Sequence, residues 1–543
     1  MPNNSFQEHC REIARRFLLT AVVVDDELFV TGDLAVRRDL SPPPTSPREP
    51  ISRIPSPQID NPPRPLDVAS ITSSFARHGM ICGVVAPPNE LNGDSVEGSV
   101  RAAARSDIVI LDWRLNRKSR QDSFPLLRRI LLDDQAHRLR LIAIYTGEPD
   151  LADIRAKIAE RLADLGESYQ PTATPSDDSD AIQVGPCRIV VYGKHGVPTP
   201  GLSGTATEDE LPDRLIADFG NMVEGLLPSL VLTALGAVRE NVYRILERFG
   251  SELDPAFLAH RACLPVPQDS QSHIVEQIAS ELHGVMRDAI RSSRPAGIDA
   301  IEHWLTDRFQ GSNVVFDLGN RGKREMPTAE VMDMLNHGIE DKPGTLRRRG
   351  RDYDALTSGF SGGDENSREL DRRLASAMSF REVIEDGPRQ LSIGTVVRMV
   401  EAESAKEGAL LCVTPACDSV RLTGPSSFLF LPLIDPESKT LQLVVPSAGS
   451  GYERMTICMD PARWWAADFI PDTIPGPVVT SPGEDETVPV FVDVEERRYH
   501  WVGELKAESA QSVAQAIAER MSRIALNKSE WLRRWERVGR RTS

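Results

Sequence analysis

The stretch Leu18-Leu19-Thr20-Ala21-Val22-Val23-Val24-Asp25-Asp26-Glu27-Leu28 decides the fold. A near-continuous apolar run ended by acids is the pattern of a parallel strand buried on both faces. Working outward, the same kind of run recurs four times. MICGVVAP begins at Met80, DIVILDWRL at Asp107, LRLIAIYTGEP at Leu139 and CRIVVYGKHG at Cys187. Between the runs lie helical patterns: LDVASITSSFARHG stopped by Gly79, SVEGSVRAAARS, DSFPLLRRILLDDQ with Pro125 in its first turn, and LADIRAKIAERLADLG. EDELPDRLIADFGNMVEGL follows the fifth strand. Five strand–helix alternations predict an α/β, doubly wound, five-stranded parallel sheet with right-handed crossovers.

Two polar stretches interrupt this pattern. Ten of the 40 prolines fall between Pro42 and Pro65. With no apolar periodicity, residues 34–65 cannot build a core and are expected to be an extended insertion. Residues 166–181 are expected to be a second one. The first insertion would look like an interdomain linker, were the acids on either side of it not needed at one site.

That site follows from the strand order. Ligands of open α/β sheets bind at the carboxyl edge, near the topological switch point. Asp25 and Asp26 end the first strand and Asp112 ends the third, its neighbour in such a sheet. Three converging carboxylates repel one another unless a cation neutralises them. Mg²⁺, which takes oxygen ligands and retains water and phosphate oxygens, suits the set. Thr146, at the end of the fourth strand, adds a hydroxyl, and Lys194, at the end of the fifth, adds an ammonium. Acids, hydroxyl and lysine together suit phosphoryl transfer. One carboxylate is the nucleophile, and the cations stabilise charge on the phosphoryl oxygens.

These residues resemble the receiver domain of two-component response regulators, through VVVDDE, IVILDW, IAIYTG and VVYGK in that order. The resemblance spans about residues 17–226 and implies a flavodoxin-like fold. It implies that Asp112 is the phosphoacceptor, loaded from the phosphohistidine of a histidine kinase. It also implies that Asp25, Asp26 and Asp112 hold Mg²⁺ with the Arg114 backbone carbonyl, and that Thr146 and Lys194 are the switch hydroxyl and phosphate-binding lysine. Two positions depart from the family. His195 stands where proline usually follows the lysine, and Val191 where an aromatic usually precedes it by three, with Tyr192 adjacent.

Beyond the receiver, expected to occupy residues 1–226, residues 228–340 read as all-α, 341–377 as a polar linker and 378–543 as an α+β domain. DPAFLAHRACLP (from Asp254) and CVTPACDSVRL (from Cys412), alongside the receiver, resemble receiver-bearing regulators of Detocs-type bacterial anti-phage defence systems. That resemblance implies a regulator or phosphate sink, with a second receiver-bearing effector as partner. The rival readings are an enzymatic C-terminal domain switched by the receiver, with Cys417 or Asp418 in its site, and an interaction scaffold with an inert receiver. Cys412 and Cys417 are too widely spaced for a zinc knuckle, so buried structural thiols are the simpler reading.

Composition limits the remaining classes. Acids outnumber bases 80 to 63, a net charge of -17, which argues against nucleic acid as the partner of the whole chain. The basic tail WLRRWERVGRR reads as a helix packing Trp531 and Trp535 inward. No run of about 18 apolar residues occurs, so no membrane partner is expected. Seven scattered cysteines and no signal-peptide pattern fit a cytoplasmic protein.

Overall fold

The structure, a computed structural model, describes residues 5–29, 65–86, 96–115, 122–133, 138–166, 181–195, 204–318, 322–339, 350–363, 366–382, 387–400, 408–435, 442–447, 451–481 and 488–521. Most of both expected insertions and the Trp531/Trp535 tail lie outside these residues. The chain forms two compact units, residues 1–311 and 312–543.

The first unit opens with a helix that the sequence pattern did not reveal, α1 (Phe6–Phe17), capped by the Ser5 hydroxyl. Then come β1 (Thr20–Val24), β2 (Leu28–Phe29), β3 (Leu66–Asp67), α2 (Val68–Arg77), β4 (Ile81–Val85), α3 (Glu97–Arg105) and β5 (Ile108–Leu111). They are followed by α4 (Phe124–Asp133), β6 (Arg140–Thr146), α5 (Leu151–Ala163), β7 (Ala181–Val184), β8 (Cys187–Lys194), β9 (Thr205–Ala206) and α6 (Leu211–Met222). Gly79 ends α2 at φ 77°, a left-handed conformation that favours glycine.

The main sheet has the order β4-β1-β5-β6-β8-β7, and β9 also pairs with β8. Five successive strands, β4, β1, β5, β6 and β8, are parallel and in flavodoxin-like order. The expected five-stranded count needs correction, because the sheet has seven strands among the described residues. β7 forms an antiparallel hairpin with β8, and β9 adds two residues in parallel. Both extra strands are too short, or too mixed in polarity, to stand out as apolar runs. The helices cover both faces, α3, α4 and α5 on one and α1, α2 and α6 on the other, over two apolar cores. Burial on both faces explains why β1, β5 and β6 read as unbroken apolar runs.

Four helices complete the first unit: α7 (Leu226–Arg248), α8 (Asp254–Cys263), α9 (Asp269–Ser293) and α10 (Ile298–Phe309). They are the all-α region, but it does not extend to residue 340. A hairpin of β10 (Val314–Asp317) and β11 (Lys323–Met326) opens the second unit. After it come α11 (Thr328–His337), α12 (Gly350–Phe360) and α13 (Ser367–Ser379). Among its described residues, 350–363 and 366–377, the linker expected at 341–377 is therefore largely helical. Its polar composition hid two helices; in α13 the buried residues are Ser367 and Ser376, while Leu370, Leu374 and Met378 are exposed, so no apolar stripe facing a core marks it.

A nine-stranded antiparallel sheet follows. It contains β12 (Phe380–Arg381), β13 (Thr395–Met399), β14 (Ala409–Cys412), β15 (Ser426–Ile434), β16 (Gln442–Pro446) and β17 (Tyr452–Ile457). β18 (Trp465–Phe469), β19 (Val490–Val492) and β20 (Arg498–Leu505) complete it, and α14 (Ala507–Met521) ends the described chain. β18 and β20 escape a sequence reading because WAADF and RYHWVGEL mix charge with aromatics. α14 is described only to Met521, short of the basic tail that carries Trp531 and Trp535.

Candidate functional site at the carboxyl edge of the parallel sheet

Parallel pairing sets the height of each acid. Val24 on β1 pairs with Leu111 on β5, so the next residues, Asp25 and Asp112, leave the sheet side by side. Backbone bonds extend this register by one step. The Asp112 N–H donates to the Val24 carbonyl at 3.0 Å, and the Asp25 N–H to that of Val85 at 3.3 Å. Carboxylate oxygens of Asp25, Asp26 and Asp112 lie within 4.8 Å of one another. Asp25 and Asp112 are buried, whereas Asp26 is exposed and opens the cluster to solvent.

Lys194 closes the cluster from β8. Its Nζ donates to Asp25 Oδ2 at 2.7 Å and to Asp112 Oδ2 at 2.8 Å, and all three side chains are less than a tenth exposed. Backbone N–H groups hold the other oxygens. Glu27 donates to Asp25 Oδ1 at 2.7 Å, and Arg114 to Asp112 Oδ1 at 3.2 Å. Thr146 is fully buried at the end of β6, and its Oγ1 accepts the Glu148 N–H at 3.2 Å. Each expected side chain therefore reaches this edge of the sheet.

The electrostatics reflect crowding of like charge. Burial, and then the charge of Asp112, push the Asp25 carboxyl up to about 6 against the pull of Lys194. Burial works to lower the Lys194 ammonium, but the attraction of Asp112 and Asp25 outweighs it and the pKa is raised. With all groups ionised, three carboxylates face one ammonium, and the excess is negative. A divalent cation matches that excess, and the all-oxygen donor set suits Mg²⁺. Asp25, Asp26 and Asp112 would hold it.

Three features escaped the sequence reading. The Arg114 side chain pairs with Glu148 at 3.2 Å, joining the segments after β5 and β6. The Tyr145 hydroxyl donates to the Ala206 carbonyl at 2.9 Å. The Tyr192 hydroxyl donates to Asp218 on α6 at 2.7 Å. None has a local signal, because the partners are 26–61 residues apart. The two residues at the atypical switch position separate across the sheet. Val191 lies in the core under α3, α4 and α5, and Tyr192 packs on the opposite core.

The other candidates do not assemble. Among the described residues, the Asp trio is the sole group of three potential metal ligands. Cys412 is fully buried, and burial pushes its thiol up to about 12. Cys458 is buried, while Cys417 is exposed with its Sγ 3.5 Å from Asp418 Oδ1. His260 and His273 face each other at 3.2 Å on α8 and α9. No single helix among the described residues is long and apolar enough to cross a membrane.

Residues 17–199, about a third of the chain, match the family model of the response receiver domain. The N-terminal region is therefore a receiver domain, and the chain is response-regulator-like in general function. No curated protein and no solved structure matches it.

Proposed function

We propose that this protein accepts a phosphoryl group on Asp112 from the phosphohistidine of a histidine kinase, with Mg²⁺ bound by Asp25, Asp26 and Asp112. The observation that carries this reading is the Lys194 ammonium held between Asp25 and Asp112 at 2.7 and 2.8 Å. In the transfer, an Asp112 carboxylate oxygen attacks phosphorus. A P–O bond forms, the P–N bond breaks, and the departing imidazole nitrogen keeps the electron pair and takes up a proton. Lys194 Nζ is placed to move from carboxylate to phosphoryl oxygen as charge spreads there. The Thr146 hydroxyl, now an acceptor from Glu148, can donate to a phosphoryl oxygen of the product. The Mg²⁺ ion, when bound, neutralises charge on the phosphoryl oxygens and offsets carboxylate repulsion.

The added charge would act on the segments after β5 and β6 that Arg114 and Glu148 join, biasing a two-state element. We further propose that the output is regulation or phosphate storage in a two-component system. A Detocs-type defence context, with a second receiver-bearing effector as partner, is the specific version of this reading.

Incubation of the full chain with radiolabelled acetyl phosphate and Mg²⁺ tests it. Hydroxylamine-labile label is expected on the wild type and absent from Asp112→Asn. No label on the wild type, or equal label on Asp112→Asn, overturns the assignment.

A further inference from the structure

The helix that leaves the receiver carries an apolar seam that nothing among the described residues buries. α7 starts four residues after α6 ends, and only Ser229, Leu232 and Ala234 in its first half are buried. From Leu235 to Arg248 no residue is buried. The exposed positions are not random. Leu227, Val231, Leu235, Val242 and Leu246 are all exposed, Leu227 by 59% and Leu246 by 66%. At about 100° per residue they fall with half-buried Val238 in an arc of roughly 100° that contains no charged residue.

The other sides of α7 are occupied. Leu232 enters the receiver core, while Ala237, Asn241 and Arg244 line the groove toward α9. The apolar arc therefore points away from the body of the unit. A helix in water gains most of its stability from tertiary packing of its apolar face. Among the described residues of the first unit, the seam leaves that contribution unused.

From these observations we infer that α7 is a self-association surface, and that a second copy of this chain covers the seam. Two features select a second copy. First, Val231, Leu235, Val238 and Val242 follow one another along the seam in steps of four, three and four residues. A repeat of 3.5 residues suits a second helix crossing at a shallow angle, with knobs entering holes along the whole length. A two-fold axis supplies an identical seam and closes the assembly.

Second, the charge beside the seam is already balanced within each chain. Arg239 pairs with Asp107 at 3.2 Å, and Arg248 with Glu281 at 3.2 Å. Two copies can approach without bringing unbalanced arginines together. The helix is about 35 Å long. Its seam offers on the order of 500 Å² of apolar surface per copy, or about 1,000 Å² for the pair. That is the lower end for a specific interface, so the dimer is reversible and concentration-dependent.

Sedimentation equilibrium of the full chain over a wide concentration range tests this. Wild type is expected to shift reversibly between monomer and dimer. Val242→Glu is expected to remain monomeric with unchanged far-ultraviolet circular dichroism, and Glu247→Gln, off the seam, to dimerise as wild type does. Should Val242→Glu fail to fold, Val242→Ser provides the second measure, with dimer affinity reduced about tenfold or more. A wild type that stays monomeric throughout, so that another partner must cover the seam, overturns the inference. A Val242→Ser dimer as tight as wild type also overturns it.

Discussion

Replacing Lys194 by methionine removes the only cation that the described structure places between the buried carboxylates Asp25 and Asp112. Methionine keeps the length of the side chain, so the change isolates charge from volume. Each ion pair is 2.7–2.8 Å long and nearly dry. At an effective dielectric of about 20, each carries roughly 6 kcal/mol of attraction before desolvation. Breaking a buried pair from one side costs about 3–5 kcal/mol, since the remaining charges stay buried without compensation.

Hydrogen exchange read by mass spectrometry on peptides covering β1 and β5, in chelator, measures this cost locally. At 1.36 kcal/mol per tenfold, the expected change is about a hundred- to several-thousand-fold faster exchange. A second substitution, Asp25→Asn, then removes one uncompensated charge. The double variant is expected to be more stable than Lys194→Met alone, with the coupling a double-mutant cycle reports for groups in contact. A cost below about 1 kcal/mol, or simple additivity of the two changes, would falsify the view that these groups form one electrostatic unit.

Mg²⁺ at a hundred times its dissociation constant should stabilise the receiver by about 2.7 kcal/mol. Asp26→Ala should abolish that gain in a thermal shift assay while barely altering the metal-free protein, because Asp26 is exposed. In the second unit, Asp493 accepts from the Tyr499 hydroxyl, the Arg497 guanidinium and two backbone N–H groups. Burial raises its pKa, but the Arg497 and Tyr499 bonds outweigh that and hold it below the ordinary carboxylate value. Its contribution is therefore complete above about pH 4 and lost as pH falls through the depressed folded value. Asp493→Ala should cost about 3 kcal/mol at pH 7, and exchange in β19 and β20 should lose part of its acid sensitivity. Thiol labelling should modify Cys417 in the native protein and leave Cys412 untouched until unfolding, given their burial.

The parallel strands of the receiver were legible because each is buried on both faces and reads as an unbroken apolar run, as in IVIL of β5. Asp25, Asp26, Asp112, Thr146 and Lys194 could be gathered at one edge because each ends such a run, and strand direction fixes which edge that is. The proline-rich stretch at 42–65 was assigned to the receiver by the same logic, since Asp25 and Asp112 must meet across it.

Only the tertiary structure decided the rest. Lys194 bridges two carboxylates 169 and 82 residues away, and Arg114 reaches Glu148 across 34. Distances of this kind have no local pattern. Helices α12 and α13 were hidden by polar composition, and β18 and β20 by mixed polarity, because neighbouring elements hold them without a regular apolar pattern of their own. The seam of α7 shows the same division. The spacing of its apolar residues is written in the chain, but that Val231, Leu235 and Val242 are exposed while Leu232 enters the receiver core is a property of the fold alone.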